Sequence, residues 1–527
     1  MTADRILALD IGTQSVRALS FDAGGTLVAG AKMPIEPYVA PRPGWAEQDP
    51  ELYWRAAAEA CARLWATGFD RSTLAALALT TQRGTVVVTD ADGRPLRPAI
   101  VWLDQRRTVG LEPVGGATGL VFRLIGVADT VAAFQADAES NWIRVNEPDV
   151  WARIRRFLLL SGYLARRLTG RFVDSAAAQV GYLPFDFRRF AWAGRGDWKW
   201  SVCGIDPAWL PELVPPGGLL GELTAEAGAT LGLPAGLPVV ATAGDKACEV
   251  LGAGALEPSI GALSLGTTAT FNTTQRRYVE AVPYVPPYPS AVAGAWNLEV
   301  MVFRGFWMVD WFLREFGHPE SARAAAETRL AEEVLDELIA QAPPGSMGLT
   351  VQPYWSPGLR FPGPEAKGAI IGFGDVHTRA HVYRAILEGL AYALRDGAER
   401  TERRTGTAIS ALRVSGGGAR SPAVVGLIAD VFGLPIAVPH THETSGLGAA
   451  IVAAVATGLH PDVETAVRSM TRIDTVIEPD QAVHATYDRL YREVYRPMYG
   501  RLRPLYEAIR SITGYPATPA MREPPGA

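Results

Sequence analysis

Cysteine is scarce in this chain of 527 residues, and neither sign of charge is in excess. The three cysteines, Cys61, Cys203 and Cys248, are scattered without a C-x-x-C spacing. That pattern argues against a disulfide framework and a structural zinc site, and it fits a reducing cytoplasm. Because 50 Lys and Arg residues face 55 Asp and Glu residues, the formal net charge is −5, and no basic surface for nucleic acid is expected.

Long apolar runs and a leader pattern are also missing. The apolar stretches at residues 86–88 and 236–243 are too short to cross a bilayer. The N-terminus enters an apolar strand within a few residues and carries Asp10 inside it, unlike the uninterrupted apolar region of a signal peptide. We therefore expect a cytoplasmic protein with neither nucleic acid nor membrane as a partner.

Two common nucleotide-binding signatures are absent as well. No G-x-x-x-x-G-K-[ST] occurs, and no G-x-G-x-x-G follows the first strand. P-loop and dinucleotide-binding proteins therefore lack their signature here. A phosphate-binding site has to be sought in other turns.

What the sequence does contain is a repeated strand–turn–strand unit. Residues 5–10 and 16–21 flank a turn, and residues 261–265 and 269–273 repeat that arrangement around Gly266-Thr267-Thr268. This repeat indicates a diverged duplication spread over two or three domains of a mixed α/β fold. Apolar spacing predicts helices at 51–66, 150–168, 306–316, 321–340, 378–403, 423–432 and 484–512.

The two turns have the composition of phosphate-binding loops. Backbone N–H groups fixed in a tight turn bind polyphosphate oxygens without a long cationic side chain. In the first turn Gly12 allows close approach, Thr13 adds a hydroxyl, and Asp10 is placed to hold hydrated Mg²⁺. Ordinary hairpins also carry Asp-x-Gly-Thr, so this prediction depends on the second copy of the turn.

A glycine-rich loop in the second half predicts a further ligand contact. The strand at 412–414 runs into Gly416, Gly417 and Gly418 before a helix begins. Three glycines let the backbone lie flat against a base or a ribose, although a flexible connection between strand and helix is the alternative. Small residues at 446–450 open another helix and predict close helix packing.

Together these segments resemble the FGGY family of carbohydrate kinases. The resemblance rests on the first turn, on Gly244-Asp245, on the loop at 415–421 and on the stretch at 444–450, and it runs in order from about residue 6 to residue 460. It implies two actin-like (ribonuclease H-like) domains, duplicated, with an interdomain active-site cleft. The implied parts are residues 1–250 on the sugar side, 251–480 on the adenosine side, and a C-terminal helix and tail at 481–527.

The resemblance also implies the activity. A kinase of this kind transfers a phosphoryl group from ATP, with Mg²⁺, to a hydroxyl of a small sugar or polyol. Relatives are often dimers or tetramers, so a homodimer or homotetramer is expected. Asp245 matches the family's general base, which accepts the hydroxyl proton, and it also fits a helix N-cap; the two roles are compatible.

The site residues that follow from the turns and from the resemblance fall into three groups. Substrate contacts are expected from Arg83, Trp102, Asp245, Lys246 and Phe271, where the two aromatic residues are core candidates as well. ATP contacts are expected from Thr13, Gln14, Ser15, Gly266, Thr267, Asp310, Gly416, Gly417, Gly418 and Ser421. Asp10 is the expected metal ligand.

The acceptor is less sharply indicated than the nucleotide. Glycerol kinases carry an acidic residue after the arginine and an amide after the base, whereas this chain has Gly84 and Lys246. Xylulose kinases usually carry Met-His where Arg83 stands, although residues 45–50 and 104–106 are xylulose-kinase-like. A ketopentose or a pentitol is the expectation, and an actin-like ATPase or a non-catalytic regulatory relative are the alternatives.

Overall fold

Two mixed β-sheets with helices against them organise the molecule. The computed structural model describes residues 3–358 and 362–515, so the end of the predicted C-terminal tail lies outside the described residues. The first half contains β1 (Arg5–Ile11), β2 (Ser15–Asp22), β3 (Leu27–Pro34), β4 (Glu47–Gln48), α1 (Pro50–Trp65), β5 (Leu74–Thr81), β6 (Val86–Thr89), β7 (Ala99–Ile100), α2 (Gly116–Leu124), α3 (Ala128–Asp137), α4 (Glu139–Asn146), α5 (Pro148–Arg153), β8 (Arg156–Leu159), α6 (Leu160–Thr169), β9 (Val173–Ser175), β10 (Phe185–Asp186), β11 (Ala191–Trp192), α7 (Trp198–Cys203), β12 (Glu212–Val214), β13 (Leu219–Glu222), α8 (Ala225–Leu231), β14 (Pro238–Gly244) and α9 (Asp245–Gly252).

The second half begins a new hairpin after α9. It contains β15 (Ile260–Leu265), β16 (Ala269–Gln275), β17 (Tyr288–Pro289), β18 (Trp296–Val302), α10 (Trp307–Glu315), α11 (His318–Glu327), α12 (Ala331–Ala340), β19 (Thr350–Gln352), β20 (Ala369–Ile371), α13 (Arg379–Thr405), β21 (Ala411–Ser415), α14 (Pro422–Phe432), β22 (Ile436–Pro439), α15 (Thr444–Ala456), α16 (Val463–Met470), β23 (Ile473–Ile477), α17 (Gln481–Leu490) and α18 (Arg496–Thr513). In the described part of the chain, no helix combines the length and apolarity that crossing a bilayer requires.

The two large sheets share one topology. The first has the order β13-β14-β5-β1-β2-β3, and the second has the order β17-β18-β16-β15-β21-β22-β23. In each, an antiparallel hairpin (β1–β2 or β15–β16) leads to a third antiparallel strand, and the first hairpin strand pairs in parallel with a later strand, β5 or β21. This correspondence confirms the duplicated α/β fold.

The helix α9 is shared by both sheets. Ala247, Cys248 and Leu251 pack with the first sheet, while Val250 packs against Ala262 of β15. Since α9 begins where β14 ends, its first residue lies at the carboxyl end of that strand, on the side toward the second sheet. The fold therefore places Asp245 between the two halves.

A helix from the second half completes the core of the first. The inward faces of β1 and β2, with Ile6, Leu19 and Phe21, are buried together with α9 and α15. A Cβ on Gly448 would lie 1.8 Å from the carbonyl oxygen of Cys248, so only glycine allows these two helices to touch. The close packing predicted for the small residues of α15 is confirmed, while the domain bounds at residues 250 and 480 stay a prediction.

Three predicted helices are interrupted. The helix expected at 150–168 contains the strand β8, because its apolar run fits either periodicity and pairs with β6. The helix expected at 321–340 divides at Thr328, which has φ 53°. The helix expected at 484–512 passes through a π-helical turn at Tyr491–Tyr495. The helices at 51–66, 306–316, 378–403 and 423–432 are confirmed within two residues at each end.

Candidate active site between the two halves

The first predicted phosphate turn closes the β1–β2 hairpin. The Gly12 N–H donates to the Ser15 carbonyl at 3.0 Å, and Gln14 is exposed at the tip. The Thr13 hydroxyl donates to Gln82 Oε1 at 2.7 Å and accepts from Trp102 Nε1 at 3.0 Å. That hydroxyl proton is therefore engaged by a side chain of the protein, and the contact of Thr13 with a phosphate stays a prediction. Ser15 is buried at the start of β2 and serves the turn through its carbonyl, and its contact with ATP, like that of Gln14, stays a prediction.

Asp10 lies beneath this turn with a cation that the sequence did not single out. The Arg17 guanidinium donates to Asp10 Oδ2 at 2.8 Å and lies 3.3 Å from the Glu443 carboxylate. Burial raises the pKa of Asp10 to about 6; Arg17 opposes that rise, and the nearby Asp245 carboxylate adds to it. One carboxylate with a second one nearby suits Mg²⁺, which usually keeps several waters and takes its other ligands from substrate phosphates.

The second phosphate turn lies against the glycine-rich loop. Gly416 has φ 86°, and a Cβ there would come within 2.9 Å of the Leu265 backbone, directly before Gly266. A Cβ on Gly418 would collide with the Phe306 ring, whereas one on Gly417 would meet no atom within 4 Å. The fold thus brings together Gly266, the exposed Thr267 and the three loop glycines, and their contact with ATP stays a prediction. Bare backbone with open space above Gly417 fits a flat nucleotide.

The predicted adenosine contacts lie at the end of this loop. Ser421 caps α14 by accepting from the Val424 N–H at 3.1 Å, and its hydroxyl donates to Asp336 at 2.6 Å. Asp310 is exposed on α10, four residues after the Phe306 that touches the loop. Burial raises the pKa of both Asp310 and Asp336, and Glu332 adds to each rise, so the two carboxylates share one acidic edge. Contact of Ser421 and Asp310 with a nucleotide stays a prediction.

Asp245 is the first residue of α9, at the C-terminal end of β14. Gly244 is the capping residue, so the N-cap alternative for Asp245 is wrong by one position. Its Oδ1 accepts from the Lys246 N–H at 2.8 Å, and its side chain is 25% exposed toward the space between the halves. Burial raises the pKa of Asp245, against the opposing effects of Arg83 and Lys246. A raised pKa makes a carboxylate a better proton acceptor near neutral pH.

Arg83 reaches the same space from the end of β5. Its Nε lies 4.0 Å from Asp245 Oδ1, and its NH2 group donates to both Glu299 oxygens, at 3.0 and 3.1 Å. The Tyr288 ring centroid lies 4.9 Å from the guanidinium carbon. Glu299 and Tyr288 were missed by the sequence analysis. A single charged residue within the apolar strand Trp296–Val302 was the available signal for Glu299.

Lys246 is turned away from Arg83 into a buried polar network. Its Nζ donates to Glu249 at 2.7 Å and to the Ser264 hydroxyl at 2.6 Å. Glu249 also accepts from Ser264 at 2.8 Å and from Ser415 at 2.6 Å. Ser264 and Ser415 directly precede the turn and the glycine loop of the second half. Lys246 therefore links α9 to the strands before the second turn and the glycine loop, and its expected contact with the acceptor stays a prediction.

The two aromatic candidates have different outcomes. Trp102 is half-buried, bonds Thr13, and lies next to the backbone of Gly84, so its place beside the acceptor stays a prediction. Phe271 is fully buried in the core of the second half and does not line the cleft, which corrects the prediction. Since Asn272 faces Glu299 in the strand register, the alternation of the strand turns Phe271 to the opposite, helix-covered face.

Comparison with known proteins finds relatives that cover most of the chain. Models of the FGGY family of carbohydrate kinases match residues 5–252 with the N-terminal domain and residues 261–457 with the C-terminal domain. A xylulose kinase from Staphylococcus epidermidis is 26% identical over 517 residues, covering 97% of this chain and all of the relative. A glycerol kinase from Symbiobacterium thermophilum is 32% identical over 480 residues, covering 87% of this chain and 91% of the relative. The crystal structure of a xylulose kinase from Rhodospirillum rubrum superimposes with a TM-score of 0.79 at 29% identity, covering 95% of this chain and 100% of that one.

Proposed function

The chain belongs to the FGGY family of carbohydrate kinases and phosphorylates a sugar or polyol with ATP; we propose that its acceptor is a ketopentose or a pentitol and that Asp245 removes the proton from the reacting hydroxyl. The two-domain, actin-like architecture agrees with this activity. The observation that carries the proposal is the meeting of Asp245 with Arg83 in the space between the halves, beside both phosphate turns.

Asp245 has the position that a general base requires. Phosphoryl transfer to an alcohol needs an aligned hydroxyl and a carboxylate that accepts its proton as the new bond forms. Asp245 projects from a strand end with a raised pKa, and Arg83 offers N–H donors 4.0 Å away that can hold a neighbouring hydroxyl. The pair therefore orients an acceptor and deprotonates it.

The nucleotide is assigned to the opposite wall. Gly266 and Thr267 offer turn N–H groups to the phosphates, and Gly416, Gly417 and Gly418 leave room for the adenosine. Asp10 would hold Mg²⁺ through its waters, and Mg²⁺ would supply charge neutralisation at the transferring phosphoryl group. Arg17 keeps the Asp10 carboxylate in place through Oδ2.

The acceptor class is inferred from Gly84 beside Arg83 and from the relatives. Gly84 has φ 67°, and an added Cβ would meet Trp102 at 3.5 Å and the Val180 carbonyl oxygen at 3.8 Å, so the bare backbone at this position, in place of the acidic residue of glycerol kinases, disfavours glycerol. The xylulose kinase relative spans nearly the whole chain, and relatives of both xylulose and glycerol kinase type occur. A five-carbon acceptor agrees with both observations.

ADP release measured with and without acceptors tests the proposal. The panel comprises D-xylulose, D-ribulose, xylitol, ribitol, erythritol and glycerol, each with Mg²⁺ and ATP. We expect turnover that depends on the acceptor, with kcat/KM highest for a five-carbon compound. Full-rate hydrolysis without acceptor would indicate an ATPase, tight ATP binding without phosphotransfer would indicate a regulatory relative, and equal kcat/KM on glycerol would contradict the acceptor class.

A further inference from the structure

Among the ion pairs of the described residues, Arg83 is the only side chain of the first half that pairs with a carboxylate of β18. Glu299 holds one of its nitrogen atoms with both oxygens, at 3.0 and 3.1 Å, and the Tyr288 ring covers the guanidinium. The side chains of Arg83 and Glu299 are only 13% and 3% exposed. This pair is buried, so its charges are far less screened than those of a surface pair.

The position of Glu299 follows from the strand register. Glu299 lies opposite Asn272 in the β16–β18 ladder, on the face that looks toward the first half. Arg83 follows β5, whose end lies beside the turn that contains Thr13. A carboxylate of the second half is therefore placed directly at the predicted acceptor site of the first.

The other cations around Asp245 are also engaged by carboxylates. Lys246 is bonded to Glu249, and Arg17 contacts both Asp10 and Glu443. Arg83 itself faces Asp245 as well as Glu299. An acceptor that carries a carboxylate would meet each of these cations already paired, and would bring its own negative charge next to Glu299 and Asp245.

We propose that Glu299 is a specificity-determining residue that neutralises Arg83 and thereby restricts the acceptor to uncharged sugars and polyols, excluding aldonic acids. The inference rests on the proposed function and names the residue that keeps charged acceptors out of its site. A neutral hydroxyl can accept from the remaining Arg83 N–H groups and donate to Glu299, so it loses nothing from the pairing. A carboxylate gains no free cation there and is repelled by two acidic side chains.

The first experiment compares xylitol with D-gluconate as acceptors in four proteins. These are the wild type, Glu299→Gln, Glu299→Asp, and Glu51→Gln as the matched control. Glu51 is also an arginine-paired carboxylate, bonded to Arg167, but it lies on α1 across the first sheet from α9. The ratio of kcat/KM for the two acceptors, and their Kd values by calorimetry with ADP present, are measured for each.

The wild type is expected to prefer xylitol to gluconate by at least about a hundredfold, and Glu299→Gln is expected to narrow that ratio at least about tenfold, mainly through tighter gluconate binding. Glu299→Asp keeps the charge and should keep the preference, as should Glu51→Gln. The double variant Arg83→Gln with Glu299→Gln has no cation to offer and should not gain gluconate binding.

Two results would overturn the inference. One is a wild-type enzyme whose kcat/KM for gluconate lies within about tenfold of its kcat/KM for xylitol. That result would refute the inference even when Glu299→Gln does not fold. The other is a folded, active Glu299→Gln whose ratio of kcat/KM for xylitol to kcat/KM for gluconate stays within about twofold of the wild-type ratio. A wild type that turns over none of the neutral acceptors of the panel above would instead refute the proposed function, and the calorimetric Kd values would then still show whether removing the Glu299 charge admits gluconate.

Discussion

The turns after β1 and after β15 have equivalent positions in the two sheets, but their side chains and hydrogen-bond partners differ. Asp10-Ile11-Gly12-Thr13 and Ser264-Leu265-Gly266-Thr267 occupy equivalent places, and the parallel neighbours pair Asp10 with Thr80 and Ser264 with Ser415. In the first turn the threonine hydroxyl and the acid beneath it are held by the protein's own side chains. In the second turn the threonine is exposed, and the residue beneath it is an uncharged serine bonded to Glu249.

The strands that follow differ in the same way. After β5 the chain continues with Gln82 and Arg83, whereas after β21 it continues with three glycines. One copy of the unit therefore presents side chains, which suit metal binding and recognition of hydroxyls, and the other presents backbone, which suits phosphates and a flat base. Under the proposed function, the first copy serves the acceptor and the metal, and the second serves the nucleotide.

Asp245→Asn is expected to have the largest effect on the rate of phosphotransfer, on the acceptor side of the site. Removing the proton acceptor should lower kcat by about 10² to 10⁴, while Kd for ADP changes little because the nucleotide side is untouched. Rapid-quench phosphotransfer and calorimetry with ADP check it. A kcat within threefold of the wild type would show that another group accepts the proton, and Glu51→Gln serves as the control.

The acid beneath the first turn should make the Mg²⁺ requirement depend on pH. Because the pKa of Asp10 is raised to about 6, the residue gains a proton as the pH falls through 6, and the proton competes with the metal. We expect the Mg²⁺ concentration for half-maximal rate to rise about tenfold for each pH unit below 6, and to stay level above it.

The matched variant for that measurement is Asp10→Asn. It should need more Mg²⁺ at every pH and lose the rise below pH 6. The same rise in wild type and variant would assign the titration to a different group.

The backbone side should respond to added methyl groups according to position. Gly416→Ala places a side chain at φ 86° against the Leu265 backbone, which should destabilise the fold by about 1–3 kcal/mol and raise KM for ATP. Gly417→Ala meets open space, so its melting temperature should stay unchanged while KM for ATP rises if adenosine lies there. Differential scanning fluorimetry and ATP titrations compare the two. Equal melting temperatures would contradict the close approach at Gly416.

The smallest effects are expected when the two threonines are compared directly. Thr13→Val leaves Gln82 Oε1 and Trp102 Nε1 without their partner, which should cost about 1–3 kcal/mol of stability. Thr267→Val removes an exposed hydroxyl and should change stability by less than about 0.5 kcal/mol. Urea unfolding measures both. A larger loss of stability for Thr267→Val than for Thr13→Val would mean that the two turns do not differ as described.

The sequence was sufficient for features that local periodicity determines. The hairpins at both turns, the helix at 378–403 and the glycine loop were all predicted, because strand alternation, helical spacing and turn residues are local signals. Phe271 was misplaced because a run of residues such as Thr270-Phe271-Asn272 does not reveal which alternating face lies against the helices. Only the strand register determines that.

Contacts between distant segments were not predictable from one sequence. Arg83 and Glu299 are 216 positions apart, and Glu249 joins strands that precede two different loops. Their meeting depends on how the two halves are placed around α9. Arg17 and Glu299 did leave a signal, since each is a charged residue between two apolar neighbours in a strand.

The position of α15 has a consequence for how this protein is made. The first sheet is synthesised early, but one of its faces is covered only in part, by α9, until residues 444–456 have been translated. At the usual rates of synthesis, that delay is on the order of 10 to 40 s. During this time Ile6, Leu19 and Phe21 of the nascent first half are exposed to solvent and to other proteins. A fragment that stops near residue 250 should therefore bind chaperones or aggregate rather than fold alone.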